Sequence, residues 1–120
     1  MHFISPPQCN FALGTAIAAR RALTVVELPI AAVTEPWRSI GADIDGITVF
    51  GFYFPLNDAK SVYWDWMLAN AAKLKDRAVI LTGDFNTGKT RIDEAGETFY
   101  CQEKIEALEQ LGFVDTWRAA

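Results

Sequence analysis

Residues 78–88 read Ala-Val-Ile-Leu-Thr-Gly-Asp-Phe-Asn-Thr-Gly, and the groups able to do chemistry gather at the end of this stretch. Asp84 and Asn86 stand two apart behind Gly83. An ionised Asp84 can bind a metal or orient a water, and the Asn86 carboxamide offers both a donor and an acceptor. The uncharged run 78–82 suits a strand buried on both faces. Its terminal glycine lets other groups approach the backbone closely. The pair is therefore expected at the carboxyl end of a strand, where open α/β sheets place their ligands. A plainer reading also fits, because Asx side chains in a turn commonly cap neighbouring backbone amides.

The same segment matches the phosphate-loop pattern G-x-x-x-x-G-K-[ST] as Gly83-Asp84-Phe85-Asn86-Thr87-Gly88-Lys89-Thr90, and it follows a strand as such loops do. A phosphate cradle must lead straight into a helix whose N-terminus faces the anion. Here Arg91-Ile92-Asp93-Glu94-Ala95-Gly96 follows, with a glycine in mid-run and no apolar period. No clear second acidic strand for magnesium follows either, since Phe113-Val114-Asp115 is short. Nucleotide binding through residues 83–90 is kept as the alternative.

Positioning these residues requires a sheet. Residues 47–54, Ile-Thr-Val-Phe-Gly-Phe-Tyr-Phe, carry the strongest strand pattern. Phe50, Phe52 and Phe54 share one face, while Ile47, Val49 and Tyr53 share the other. Both faces are largely apolar, so a central strand is expected, and Pro55 ends it. Asn57 or Asp58 can cap a helix running to about Leu74. Tyr63, Trp66, Met67, Ala71 and Leu74 fall at helical spacing on its buried face and read as core.

Two further strands are expected at about 12–19 and 23–29, joined by a tight turn near Arg20 and Arg21. Residues 1–10 read as an irregular lead-in. Residues 30–46, with Pro36, Gly41 and Gly46, read as loop with at most an edge strand. After the opening stretch comes a polar loop over 87–97. Thr98 is expected to cap a second helix that turns Cys101, Ile105 and Leu108 inward, with Gly112 at its C-terminal cap. The order strand, helix, strand, helix is that of an α/β protein.

Composition sets the outer bounds. A chain of 120 residues, 51% apolar with eight Phe and four Trp, can bury a core, and a single domain over 1–120 is expected. Fifteen acids against eleven Lys plus Arg give a net charge of −4, which argues against a protein that coats nucleic acid. It leaves phosphate chemistry open, because bound metal ions can supply positive charge. Cys9 and Cys101 make neither a metal spacing nor a disulfide framework, so a reduced, cytoplasmic protein is expected. The apolar run 11–19 lacks a preceding Lys or Arg and reads as strand rather than as a leader.

Gly83-Asp84-Phe85-Asn86 resembles the G-D-F-N signature of the endonuclease/exonuclease/phosphatase superfamily, whose members include exonuclease III-like and deoxyribonuclease I-like enzymes. Gly14-Thr-Ala-Ile-Ala-Ala-Arg20 resembles its G-x-A-I-x-S-R strand, and Phe50-Gly-Phe-Tyr-Phe-Pro55 its strand ending in Y-x-P. Leu111-Gly-Phe-Val-Asp-Thr-Trp-Arg118 is similar to the L-G-F-V-D-T-[FW]-R of exonuclease III-like members. The four motifs occur in the family's order over residues 12–118.

The resemblance implies part of a four-layer α/β sandwich, with two mixed sheets inside and helices outside. It implies a metal-dependent phosphoesterase using Mg2+ or Mn2+ on a phosphate-ester substrate such as DNA. Asp84 would bind the metal and orient or deprotonate the attacking water, Asn86 would hydrogen-bond the phosphate or that water, and Tyr53 would reach the phosphate. Lys89 and Arg91 are further candidates for touching phosphate. Plainer readings stand beside these, namely a core tyrosine at Tyr53 and solvated loop charges at Lys89 and Arg91. The family's early asparagine and glutamate strands and its late Asp-His motif have no match here. A central fragment is therefore expected, inactive or weakly active alone and self-associating through uncovered sheet edges. A non-catalytic interaction module is the remaining alternative.

Overall fold

The computed structural model describes residues 1–6, 13–27, 35–93 and 99–120. Cys9, Thr98, residues 30–34, residues 94–97 of the expected polar loop and the outer ends of the first two expected strands lie outside the described residues. The chain divides into two compact units, one of Met1–Phe54 with Arg77–Phe85, the other of Pro55–Asp76 with Asn86–Ala120.

The first unit is built of sheets. Strand β1 (His2–Ile4) pairs antiparallel with β2 (Ile17–Ala19). Strands β3 (Thr24–Val25), β4 (Ser39–Ile44), β5 (Ile47–Tyr53) and β6 (Val79–Asp84) form a four-stranded sheet in that order. The first two pairings are antiparallel and β5–β6 is parallel, so the sheet is mixed. β5 is internal, as its two apolar faces imply. Thr48, Phe50 and Phe52 are buried along one face, and the rings of Phe52, Phe54 and Phe85 meet at 5.2–6.2 Å between centroids. Burial of Phe50, Phe52 and Phe54 contributes roughly 1.5–3 kcal/mol each.

Expectations for three stretches of the sheet unit are corrected. The lead-in contains β1, and the two early strands belong to different sheets rather than to one hairpin. The stretch read as loop holds β4, an interior strand whose Ile40 and Ala42 are buried. Its composition hides it. Gly41 stands opposite Phe50, and a Cβ there would lie 2.8 Å from the Phe50 ring, so a residue of low strand propensity is what the neighbouring aromatic needs. Asp45 and Gly46, at φ +53° and +84°, close β4 onto β5 in a two-residue hairpin turn of the Asp-Gly kind. The third correction concerns β6, which lies at the edge of the sheet among the described residues, with Ile80 50% exposed. Its face shared with Gly51 and Tyr53 is thinly covered, so it is not a strand buried on both sides.

The second unit is helical. A 3₁₀ turn, Asn57–Lys60, leads into α1 (Ser61–Leu74), and neither N-cap residue, Leu56 or Lys60, caps its helix through its side chain. Asn57 instead takes a left-handed φ of +56°. The buried face of α1 is Tyr63, Trp64, Met67 and Ala71, with Trp66 and Leu74 half-buried, so the expected face is rotated onto Trp64. Helix α2 (Gln102–Gln110) packs against α1. Gly112, at φ +97°, ends it with N–H donation to the Glu109 carbonyl at 2.9 Å, while Phe113 N–H reaches the Leu108 carbonyl at 3.4 Å, a Schellman closure. Asp115 caps the short α3 (Thr116–Ala119) by accepting from the Trp117 and Arg118 amides at 3.1 Å. No helix among the described residues is long and apolar enough to cross a membrane.

Candidate functional site

Tyr53 and Asp84 are the last residues of β5 and β6, and they stand opposite each other in the parallel register. Opposed residues of neighbouring strands project to the same face, so the sheet places a phenol and a carboxylate together at its carboxyl edge. The pairing continues one step further, where the Phe54 amide donates to the Asp84 carbonyl at 2.8 Å. Asp84 is exposed and Tyr53 is half-buried.

Gly83 explains how the strands come so close there. It adopts φ +131°, and a Cβ built on it would fall 1.9 Å from the Phe52 carbonyl oxygen. No residue with a side chain fits that space without moving the backbone of β5. The glycine of the G-D-F-N stretch is therefore set by contact with the neighbouring strand.

Tyr53 is held from outside the sheet by Arg38. The guanidinium carbon sits 5.0 Å from the centre of the tyrosine ring, within cation–π range. Its Nη1 donates to the Tyr53 carbonyl at 3.3 Å, and its Nε donates to Glu35 at 2.6 Å. Sequence reasoning did not single out Arg38. Its 3₁₀ turn, Pro36–Arg38, lay inside the stretch read as loop.

The remaining candidates belong to the helical unit. Asn86 is half-buried at φ +46°, and its carbonyl accepts a hydrogen bond from the Lys60 ammonium. Trp64 Nε1 donates to the Thr87 hydroxyl at 3.0 Å. The Lys89 ammonium contacts both carboxylate oxygens of Glu109. Arg91 is exposed at φ +65°, within a turn over residues 91–93 rather than a helix. The Thr90 hydroxyl is buried without a partner among the described residues, while its amide donates to the Gln102 side chain. Lys60 and Trp64 escaped the sequence reading because a lysine before an aromatic run carries no motif. Their i, i+4 spacing was the available signal.

Two carboxylates in this unit are tuned. Donation from the Lys89 amide, and then from Arg118, holds Asp93 below the usual aspartate range. Asp115 is lowered chiefly by the Arg118 amide. Burial pushes the Cys101 thiol up, against a smaller opposing pull from Lys60.

Among the described residues, no three His, Cys, Asp or Glu side chains gather into a metal-holding group. Asp84 thus offers a magnesium ion one carboxylate and not a complete protein site. No family model and no curated protein matches this chain.

Proposed function

We propose that the chain carries phosphoesterase chemistry of the endonuclease/exonuclease/phosphatase kind, acting on a phosphodiester such as DNA. The sheet unit is read as part of that superfamily's four-layer sandwich. The observation that supports this most directly is the in-register meeting of Tyr53 and Asp84 at the carboxyl ends of two parallel strands. Ligands bind at such ends, and both residues fall inside the motifs that resemble the superfamily.

In the proposed reaction, water attacks phosphorus as the bond to the leaving oxygen breaks. Asp84 orients the water and accepts its proton, which an exposed carboxylate can do within hydrogen-bond reach. Tyr53 donates its hydroxyl proton in a hydrogen bond to a phosphoryl oxygen, stabilising charge that grows in the transition state. The resemblance gives Asn86 the matching role through its carboxamide. Asp84 would also be the carboxylate that holds a magnesium ion, which would supply Lewis-acid polarisation of the phosphate. Asp84 alone would hold the ion weakly, so slow turnover is expected.

Nucleotide binding by a phosphate loop is the second reading. It needs Lys89 over the phosphates and a helix directly after Thr90. Lys89 is engaged by Glu109, and residues 91–93 form a turn. The buried Thr90 hydroxyl is the feature in its favour.

Turnover of an abasic DNA duplex and of a simple aryl phosphodiester, with and without magnesium, tests the proposal. Magnesium-dependent hydrolysis lost in Asp84→Asn supports it. Micromolar ATP or GTP binding abolished by Lys89→Ala replaces it with the phosphate loop. Neither activity nor binding leaves the non-catalytic module as the function.

A further inference from the structure

Lys60 is 98% buried, as a lysine seldom is, and stands at the N-cap position of α1. Both facts count against it energetically. Burial strips water from an ammonium, and the amino end of a helix is the positive end of its dipole. A lysine placed only to complete α1 would be replaced to advantage by an apolar residue or by Ser, Thr or Asp. Its ammonium donates instead to the carbonyl of Asn86, twenty-six positions along the chain. Four residues on, and hence on the same face of the helix, Trp64 donates its indole N–H to the hydroxyl of Thr87. Trp64 is 2% exposed, so this second donor is fixed by packing.

Two consecutive loop residues are therefore gripped by two side chains one helical turn apart. The grip falls on a left-handed backbone. Asn86 has φ +46°, a conformation that asparagine tolerates better than other residues with a Cβ and that few of them adopt unaided. Anchoring the carbonyl of Asn86 and the side chain of Thr87 restricts the backbone from which the Asn86 carboxamide projects. Fixed backbone angles in turn restrict its rotamers.

We propose that Lys60 and Trp64 are positioning residues that set the Asn86–Thr87 turn, and that this pre-set turn is what gives Asn86 its affinity for a phosphoryl oxygen. The second half of the proposal rests on the phosphoesterase reading, and the first half does not. Lys60 acts through the Asn86 backbone and does not itself touch the substrate. A loop misplaced by about 1 Å commonly costs on the order of a hundredfold in function, so a residue remote from the phosphate can control its binding.

The test uses the intact chain with Lys60→Met, Thr87→Val and Thr87→Ser, followed by nuclear magnetic resonance. The Trp64 indole proton reports its hydrogen bond, and exchange at the Thr87 and Gly88 amides reports the turn. Thr87→Val is expected to move the indole resonance and Thr87→Ser to restore it. Lys60→Met is expected to speed exchange at Thr87 and Gly88 by about tenfold or more while the melting temperature holds or rises, since a buried charge has been removed. Unchanged exchange in folded Lys60→Met overturns the positioning role. A melting temperature that collapses in Lys60→Met is answered by Trp64→Phe, which keeps the packing and must give the same faster exchange. Titration with inorganic phosphate and magnesium reads the second half through the Asn86 side-chain amide signals. They are expected to shift in the wild type and to need about tenfold more phosphate in Lys60→Met. If wild-type signals do not move, the phosphate reading fails while the exchange result still decides the clamp. Equal phosphate affinity in wild type and Lys60→Met overturns the link between the clamp and binding.

Discussion

The Lys89 ammonium stands 2.8 and 2.9 Å from the two carboxylate oxygens of Glu109 on α2. A lysine so engaged, its side chain 19% exposed, ties the segment after β6 to a helix of its own unit. Lys89→Ala is expected to cost about 0.5–1 kcal/mol of stability, the range of a partly exposed pair. Glu109→Gln should cost a similar amount, and the double variant less than the sum. Urea unfolding measures all three, and no saturable ATP binding is expected in any.

Gly83 supplies a sharper prediction. Its φ of +131° and the 1.9 Å approach to the Phe52 carbonyl leave a methyl group no room. Gly83→Ala is expected to destabilise by about 3 kcal/mol or more, from backbone strain and displaced backbone together. Gly46 is the control, since it also has positive φ (+84°) but, among the described residues, nothing within 4 Å of its added Cβ. Gly46→Ala should cost only about 1–2 kcal/mol. Equal losses in the two would show that the close strand approach contributes nothing.

Tyr53 and Asp84 should separate activity from stability. Asp84→Asn keeps shape and removes the proposed proton acceptor, so on the phosphoesterase proposal magnesium-dependent phosphodiester turnover should fall at least about a hundredfold with melting temperature little changed. Tyr53→Phe removes one hydroxyl donor and should cost about tenfold to a hundredfold in rate. Turnover that survives in Asp84→Asn would take the water-activating role away from this residue.

The ion pairs of the helical unit set a pH window. Asp93 and Asp115 have folded pKa values below their unfolded ones, so the stability they contribute is present above about pH 4 and is lost as pH falls through the depressed values. Lys104 is raised, chiefly by donation to Asp65 at 2.9 Å, and its contribution is present below about pH 10.4 and lost as pH rises through the folded value. Asp93 is exposed, and Asp115 and Lys104 are half-buried at the surface, so shallow slopes are expected. Thermal melts across pH should show a plateau with an acid shoulder that Asp115→Asn shrinks.

The fold was legible where one residue pattern decided the outcome. The Phe50, Phe52, Phe54 alternation placed β5 at the interior of the sheet, and Gly112 marked the end of α2. β4 was obscured because Gly41 and Ala42 answer to the ring of Phe50 and to dense packing rather than to strand propensity. The Asp45-Gly46 turn signal was nevertheless in the sequence. The run in β6 suggested two covered faces, yet coverage depends on what lies beside a strand, which its own residues do not state. Of the candidate site, the register of Tyr53 with Asp84 follows from the two strand ends once a parallel pair is assumed. The grip of Lys60 on Asn86 depends on a meeting across twenty-six residues that no local pattern encodes.

The two neighbours of β5 reach it by routes of very different length. β4 joins it through the two-residue Asp45-Gly46 turn, whereas β6 returns only after the 3₁₀ turn and all of α1. A hairpin closes in about 1–10 μs, while a parallel partner must first overcome the closure entropy of its long crossover. We expect the chain to acquire Tyr53 early in a preformed hairpin and Asp84 late, when the last strand docks. Pulse-labelled hydrogen exchange should then protect β4 and β5 amides before those of β6. The phenol and the carboxylate would thus come together only as folding finishes, so that any activity built on the pair would be withheld from partly folded chains, on the ribosome or after stress.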